Sequence, residues 1–145
     1  MSETMSDKLL AAGWECLEVG GFTGLVGPFW RHRDENGAPS IGLIIEERHC
    51  NLHLGTLHGG VVMTFADIAL GSGVSHALGH SRCATASLQT QFVAVARVGQ
   101  LLTCKAEVVR ASKQLVFVRG LVIADERIIA NADGIWKVMD EAPRA

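Results

Sequence analysis

The stretch "LHGGVVMTFADIALG", residues 57–71, decides the fold of this chain. It opens on a histidine and two glycines, Gly59 and Gly60, and apolar side chains dominate the rest. Asp67 is its only charged residue. We predict a helix from residue 58 to about residue 76, because the glycines allow a tight turn into it and a Gly-Ser-Gly sequence follows near its end.

The faces of this helix differ little in polarity. With about 100° per residue, Asp67 shares a face with Gly60, Met63, Thr64, Leu70 and Gly71. The opposite face holds Val62, Phe65 and Ala69. A helix that is apolar all round is a buried helix. We therefore expect its own sheet to wrap it, with a second subunit as a further source of cover.

The segments around the helix predict β-structure. Residues 3–14 have helical spacing, residues 22–33 resemble a strand interrupted by glycine and Pro28, and residues 40–47 predict another strand after a turn at 34–40. Four β-rich stretches follow the helix, at residues 83–95, 99–111, 114–125 and 127–139. Their short connections require antiparallel neighbours. The pattern is α+β, and we expect one domain over residues 1–145, with an N-terminal helix at about 3–14 and a core at about 22–140.

The composition argues against several classes of function. The chain has 145 residues, of which 48% are hydrophobic and 19% are charged, and its net charge is -2. This charge gives no electrostatic reason to expect nucleic acid or an anionic membrane as a partner. We see no secretory signal and no apolar run of the roughly 18 residues that a membrane span needs. The four cysteines form no C-x-x-C pair, so we expect reduced thiols and a cytoplasmic location.

Asp67 and the two glycines can each be explained in two ways. An acid in a helix is often a solvated residue or half of an ion pair, and paired glycines can serve a turn alone. However, a carboxylate in apolar surroundings suits a general base or a nucleophile. Glycines at a helix N-terminus also leave backbone N–H groups bare, which suits an oxyanion. Together the two features predict acyl transfer.

One helix cannot bring both features to one carbonyl. Gly59 and Asp67 are eight residues apart, which is about 12 Å along a helix axis. The distance is bridged if two copies of the helix run antiparallel across a two-fold axis, because the Gly59 end of one protomer then faces Asp67 of the other. We expect an obligate homodimer with shared active sites, assembled into a homotetramer.

The stretch "GTLHGGVVMTFADIA" resembles the HGG motif of the hotdog-fold acyl-CoA thioesterases of the PaaI type, in which an acid follows nine residues after the histidine. The resemblance covers roughly residues 40–139. It implies a hotdog fold, in which a curved antiparallel sheet of about five to six strands wraps the central helix. It also implies hydrolysis of an acyl-CoA thioester with an aryl or medium-chain acyl group.

The resemblance assigns roles to individual residues. The Gly59 N–H would polarise the thioester carbonyl, and Asp67 of the partner subunit would activate water or attack directly. Thr85 would place a hydroxyl near that acid, and His58 would help to set the loop. Relatives commonly have asparagine six residues before the histidine, whereas Asn51 lies seven before it, so a one-residue bulge must bring it in or His53 must replace it.

Further residues are expected to bind the substrate. We expect Gly60, Met63, Leu70 and Phe92 to line its pocket, and Arg110 and Lys113 to meet the phosphates of coenzyme A. The segment "HCNLHLGTLH" lacks a second pair of ligands at a regular distance, so we predict no metal site, and no cofactor is implied. Two alternatives remain at this stage, a hotdog dehydratase or hydratase acting on a 3-hydroxyacyl thioester and a non-catalytic acyl-CoA binding module.

Overall fold

A capping box begins the first helix of the chain. In the computed structural model, which describes residues 2–140, the Thr4 hydroxyl accepts the N–H of Asp7 at 3.1 Å. The Asp7 carboxylate accepts the N–H of Thr4 at 3.0 Å in return. The helix runs over Met5–Ala11, so it is shorter at both ends than the predicted 3–14. The predicted domain limits, residues 1 and 145, lie outside the described residues.

The described residues contain three α-helices and eight strands. The helices are α1 (Met5–Ala11), α2 (Gly21–Val26) and α3 (Gly59–Leu78). The strands are β1 (Glu15–Leu17), β2 (Phe29–Arg33), β3 (Pro39–Ile44), β4 (Cys83–Phe92), β5 (Leu101–Lys105), β6 (Glu107–Ala111), β7 (Leu115–Ala124) and β8 (Arg127–Val138). A short 3-10 helix spans Glu47–His49.

All strand pairs are antiparallel and belong to one sheet, in the order β1-β2-β3-β5-β7-β8-β4. β6 pairs with the first half of β7, and β5 pairs with its last residues. α3 packs against β3 to β8, so the sheet wraps around this helix as predicted. The α+β class and the hotdog architecture are therefore confirmed, and the order places β4 at one edge of the sheet.

The prediction of five to six strands was too low, for two reasons. The stretch at 99–111 bends at Ala106 and divides into β5 and β6, and the short strand β1 had no pattern to reveal it. At Ala106 the sheet lies close against α3, since a Cβ on Gly73 would lie 2.4 Å from the Ala106 Cβ. The prediction of a single strand over residues 22–33 was also wrong, since the first part of this segment forms α2.

The core lies between α3 and the inner face of the sheet. α3 buries one face in it, with Val62, Phe65, Ala66, Ala69, Leu70, Gly73 and Val74. The thiol of Cys104 lies in this core as well, and burial raises its pKa to about 12. Cys104 therefore behaves as a small apolar side chain.

One helix among the described residues, Gly59–Leu78, is long and apolar enough to cross a membrane by length and composition alone. The sequence prediction concerned an uninterrupted apolar run, and in this helix Thr64, Asp67 and Ser72 interrupt the run. The glycine, serine and histidine residues at 71–76 interrupt the apolar run without making the helix polar. The buried face explains the apolar character, because the core helix of a sheet-wrapped protein passes the same test.

Candidate active site

Asp67 accepts a hydrogen bond from the sheet. Its Oδ1 accepts the hydroxyl of Thr85 at 2.6 Å, which is short, as expected for a donor bound to a carboxylate. Asp67 is half-buried, and Thr85 lies on the edge strand β4, 18 residues along the chain. The contact leaves the second carboxylate oxygen without a protein donor among the described residues. The structure thus brings together the acid and the hydroxyl that the sequence had paired.

A β-bulge turns Thr85 toward the helix. Thr85 pairs with Trp136 of β8, and Ser87 pairs with the very next residue, Ile135, so Ala86 is the extra residue. Beyond the bulge, Leu88, Thr90 and Phe92 pair with buried residues of β8, so they lie on the inner face of the sheet. Without the bulge, alternation would point Thr85 outward with Ser87. The bulge is therefore what places the hydroxyl at Asp67.

Asp67 lines an apolar cavity of about 320 Å³. Its walls come from three elements, α2, α3 and β4, and are formed by Phe22, Thr23, Met63, Thr64, Asp67, Ile68 and Leu88. Asp67 is the only charged residue of the lining. The sequence had assigned Met63 to this pocket, but it missed Phe22, Thr23 and Leu88, because nothing local links residues 22 and 88 to a helix at 67.

At the other end of the helix, His58 forms the N-cap. Its Nδ1 accepts the N–H of Gly60 at 2.8 Å, so the neutral ring carries its proton on Nε2. The His58 carbonyl accepts the N–H groups of Val61 and Val62 at 3.0 and 3.2 Å. The Gly59 N–H donates no hydrogen bond to any described residue. Gly59, and not Gly60, therefore offers a bare donor to a ligand.

Gly59 lies in a second cavity, of about 250 Å³, together with Asn51 and Phe92. The extra residue that separates Asn51 from His58 is taken up by an outward turn, in which Leu52 and Leu54 are exposed. Gly55 has a left-handed φ of 64°, and its N–H returns to the Asn51 carbonyl at 3.1 Å. The turn thus returns Asn51 to the glycine end of the helix despite its offset.

In one chain, Gly59 and Asp67 line two different cavities: the one at Asp67 does not include Gly59, and the one at Gly59 does not include Asp67. The two cavities lie at successive positions along the same helix, in agreement with the separation of about 12 Å along its axis. A single chain therefore presents two half-sites, one with the bare N–H and one with the hydrogen-bonded acid.

Three other predicted residues lie elsewhere. Leu70 has no exposed surface and packs in the core beside Gly120, so it lines neither cavity. Arg110 and Lys113 are exposed on the β6–β7 hairpin, where Arg110 lines a shallow surface cavity with Ser112. In the single chain neither cation shares a cavity with Gly59 or Asp67.

A larger cavity of about 640 Å³ lies on the outer face of the sheet, away from α3. Its cations are already paired, Lys105 with Asp34 at 2.6 Å and Arg119 with Glu107 at 3.0 Å. The Lys105 ammonium holds the pKa of Asp34 down, at about 2. The cavity contains no acid with a free oxygen beside a hydroxyl, so we place the chemistry at Asp67 despite the smaller volume there.

The histidines of the segment before the helix have structural partners. His49 is buried, its Nδ1 accepts the N–H of Glu46 at 3.0 Å, and its Nε2 lies 2.6 Å from the Val26 carbonyl. His58 is occupied at Nδ1 by its cap. Within residues 2–140, no group of three His, Cys, Asp or Glu side chains is arranged to hold a metal ion.

Comparison with known proteins places this geometry in a family. The family model of the thioesterase superfamily matches residues 54–130. The Pseudomonas aeruginosa protein named "Putative esterase PA0474" is 35% identical over 117 residues, which make up 77% of this chain and 84% of that protein. The structure of the BH2602 protein from Bacillus halodurans with CoA is 27% identical, with a TM-score of 0.69, over 77% of this chain and 74% of that one.

The E. coli PaaI protein from the phenylacetic acid degradation operon has the same fold. The two chains are 18% identical, and the TM-score is 0.68 over 79% of this chain and 86% of that one. The family model covers more than half of the sequence. The chain therefore belongs to the thioesterase superfamily, and it is a thioester hydrolase with the hotdog fold.

Proposed function

We propose that this protein hydrolyses an acyl-CoA thioester with an aryl or medium-chain acyl group, giving the free acid and CoA. The observation that carries the proposal is the hydrogen bond between Thr85 and Asp67 at 2.6 Å, beside an apolar cavity. The similar Bacillus halodurans structure with CoA supports CoA as the thiol carrier.

In the first of two possible routes, Asp67 acts as a general base. Its free oxygen takes a proton from water, the resulting hydroxide adds to the thioester carbonyl, and the Gly59 N–H stabilises the oxyanion. Collapse of this intermediate breaks the C–S bond, and protonated Asp67 returns the proton to the departing thiolate. The Thr85 hydroxyl holds the carboxylate and has a lone pair left to orient the water.

In the second route, Asp67 is the nucleophile. The carboxylate adds to the carbonyl, the thiolate leaves, and an acyl-aspartyl anhydride forms, which water then hydrolyses. In both routes the Gly59 N–H stabilises the oxyanion and the Thr85 hydroxyl holds the Asp67 carboxylate, whereas the atom that Asp67 attacks differs. His58 contributes by holding the turn, while Asn51 lies beside Gly59, where its amide can meet the substrate.

We propose further that each active site is shared between two protomers. The support is the division of the single chain into two half-sites, with Gly59 in one cavity and Asp67 in the other. Antiparallel α3 helices across a two-fold axis would join the Gly59 half of one protomer to the Asp67 half of the other, twice per dimer.

The free edge of β4 supports this arrangement. β4 is ten residues long, pairs with β8 on one side only, and contains no charged residue and no proline. Natural edge strands usually carry such residues to prevent pairing, so a long uncharged edge is a template for a second copy. Thr85 and Leu88 lie on this strand, so pairing there would bring the partner to the Asp67 cavity.

The homotetramer and the phosphate contacts are further parts of the proposal. Exposed apolar side chains on the outer side of β7, Leu115, Phe117 and Leu121, give two dimers an apolar surface to share. The cations Arg110 and Lys113 on the neighbouring hairpin would then meet the CoA phosphates. Four free cysteines suit a reducing compartment, and we propose that the enzyme works in the cytoplasm.

A panel of CoA esters tests the function. Benzoyl-, phenylacetyl-, hexanoyl-, octanoyl- and acetyl-CoA are incubated with the purified protein, and thiol release is followed with a disulfide reagent. We expect release from the aryl or medium-chain esters, and release slower by about two orders of magnitude or more from the Asp67→Asn variant. The absence of release from every ester would contradict the proposal.

A further inference from the structure

The helix α2 covers the cavity at Asp67. Phe22 and Thr23 from α2 line this cavity together with Met63, Ile68 and Leu88. The Phe22 ring is nevertheless 65% exposed in the chain, and none of the residues of α2 is buried. A large aromatic side chain at the mouth of an apolar cavity has most of its surface still available for a ligand.

α2 is fastened at its C-terminal end. The Arg48 guanidinium donates to the Leu25 carbonyl at 2.7 Å and to the carbonyl of Gly27. The buried His49 donates from Nε2 to the Val26 carbonyl at 2.6 Å, because its Nδ1 already accepts a backbone N–H. The backbone carbonyl of His49 accepts the N–H of His58 at 2.9 Å. This end of α2 is therefore tied to the turn that presents Gly59.

The N-terminal end of α2, which carries Phe22, has weaker support. Its N-cap is Gly20, which has no side chain to accept a hydrogen bond, and Gly21 has a φ of 66°. Phe22 is thus held over Asp67 by a helix whose side-chain anchors are at its C-terminal end.

The chemistry of the cavity defines what it accepts. Its walls are mainly apolar, and no Lys, Arg or His is among its lining residues. An acyl group with a second carboxylate would meet the negative charge of Asp67 without a cation to offset it. An uncharged acyl chain that extends past Asp67 would contact the apolar side chains of the lining, among them Leu88, Met63 and Phe22.

We propose that Phe22 is a specificity-determining residue that selects extended, uncharged apolar acyl groups by closing the outer end of the cavity at Asp67. This inference rests on the proposed acyl-CoA hydrolysis. The inference names Phe22 as the residue that selects the acyl group. It also gives a reason why short or anionic acyl groups would be poor substrates.

The test compares variants at two positions of the same helix. Phe22→Ala removes the ring from the cavity, whereas Leu25→Ala removes a side chain that is 74% exposed and is not in the lining of the Asp67 cavity. For each protein, kcat/KM is measured with octanoyl-CoA and with acetyl-CoA. We expect the octanoyl-to-acetyl ratio to fall roughly tenfold in Phe22→Ala, to recover in Phe22→Leu, and to stay at the wild-type value in Leu25→Ala.

Several outcomes would overturn the inference. An unchanged ratio in Phe22→Ala, or an equal fall in Leu25→Ala, would show that the ring does not select the acyl group. A loss of the oligomer in Phe22→Ala, measured by light scattering, would assign the ring to a subunit contact instead. If the wild-type protein hydrolyses neither ester, the proposed function fails first, which is a separate result from a wild-type enzyme whose ratio Phe22 does not influence.

Discussion

The two ends of the active helix are built in different ways. At the Gly59 end, the contacts of the helix cap are local: the His58 ring caps Gly60 two residues away, and the His58 carbonyl accepts the next N–H groups. At Asp67, the contacts come from far along the chain, Thr85 from 18 residues away and Phe22 from another helix. The cap beside Gly59 is thus a property of a short peptide, whereas the surroundings of Asp67 are a property of the fold.

The largest expected effect is at the acidic half. Asp67→Asn should lower kcat by about two orders of magnitude or more, because the amide can neither accept the proton of water nor attack the carbonyl. The melting temperature should change little, since the half-buried carboxylate has a single protein hydrogen bond. Kinetics and thermal denaturation measure both effects.

Asp133→Asn is the matched control, because Asp133 is an exposed carboxylate on the outer face of β8. It should keep wild-type kcat. Near-normal turnover in Asp67→Asn would remove Asp67 from the mechanism and with it the distinction between the two halves.

Mixing variants tests whether the two halves come from different chains. Gly59→Pro removes the bare N–H at the first helical position, where proline is well tolerated, and His58 already has the extended conformation that precedes proline, with φ -67° and ψ 135°. Co-expression with Asp67→Asn should give heterodimers with one intact site of two. Random assortment should then restore about a quarter of the wild-type activity.

Gly59→Ala is the control for this experiment. It keeps the N–H, and its Cβ would lie 3.4 Å from the Phe92 ring, an ordinary contact, so the variant should stay active. If heterodimers confirmed by mass spectrometry have only the activity of the parents, both residues serve a site within one chain, and the division into half-sites has no functional meaning.

A smaller effect is expected at Thr85. Thr85→Ala should lower kcat roughly tenfold, less than the loss of Asp67, because the hydroxyl orients the carboxylate and the water without taking part in bond formation. Thr85→Ser keeps the hydroxyl and should recover most of the rate. A loss in Thr85→Ala as large as in Asp67→Asn would mean that the roles of the two residues are wrongly assigned.

The smallest effect is expected at the local cap. His58→Ala removes the acceptor of the Gly60 N–H, which should cost about 1 kcal/mol of stability and lower the melting temperature by roughly 4 °C. His58→Asn restores a good N-cap and should recover the stability. If His58→Asn stays as unstable as His58→Ala, the ring has a role other than the cap, and the Gly59 end is not a purely local structure.

The sequence predicted much of the Gly59 end and of the general architecture. The central helix was predicted within two residues of its observed ends, because its glycine start and apolar run are local features. The antiparallel order of the later strands followed from their short connections, since a parallel pair would need a long crossover. The pairing of Asp67 with a hydroxyl came from the family resemblance, and the structure shows the contact.

The contacts across the sheet were decided only by the tertiary structure. Strand alternation alone would direct Thr85 away from the helix, and the bulge at Ala86 reverses this because β8 holds its neighbours in register. Leu70 lies only about 60° around the helix from Asp67, yet the sheet covers that edge of the helix and buries it in the core. Phe22 reaches the cavity because its segment forms a helix fastened by Arg48 and His49, which no local pattern in residues 21–26 encodes. Local hydrogen bonds need only neighbouring residues, whereas the position of a side chain across a sheet depends on the register of every strand between them.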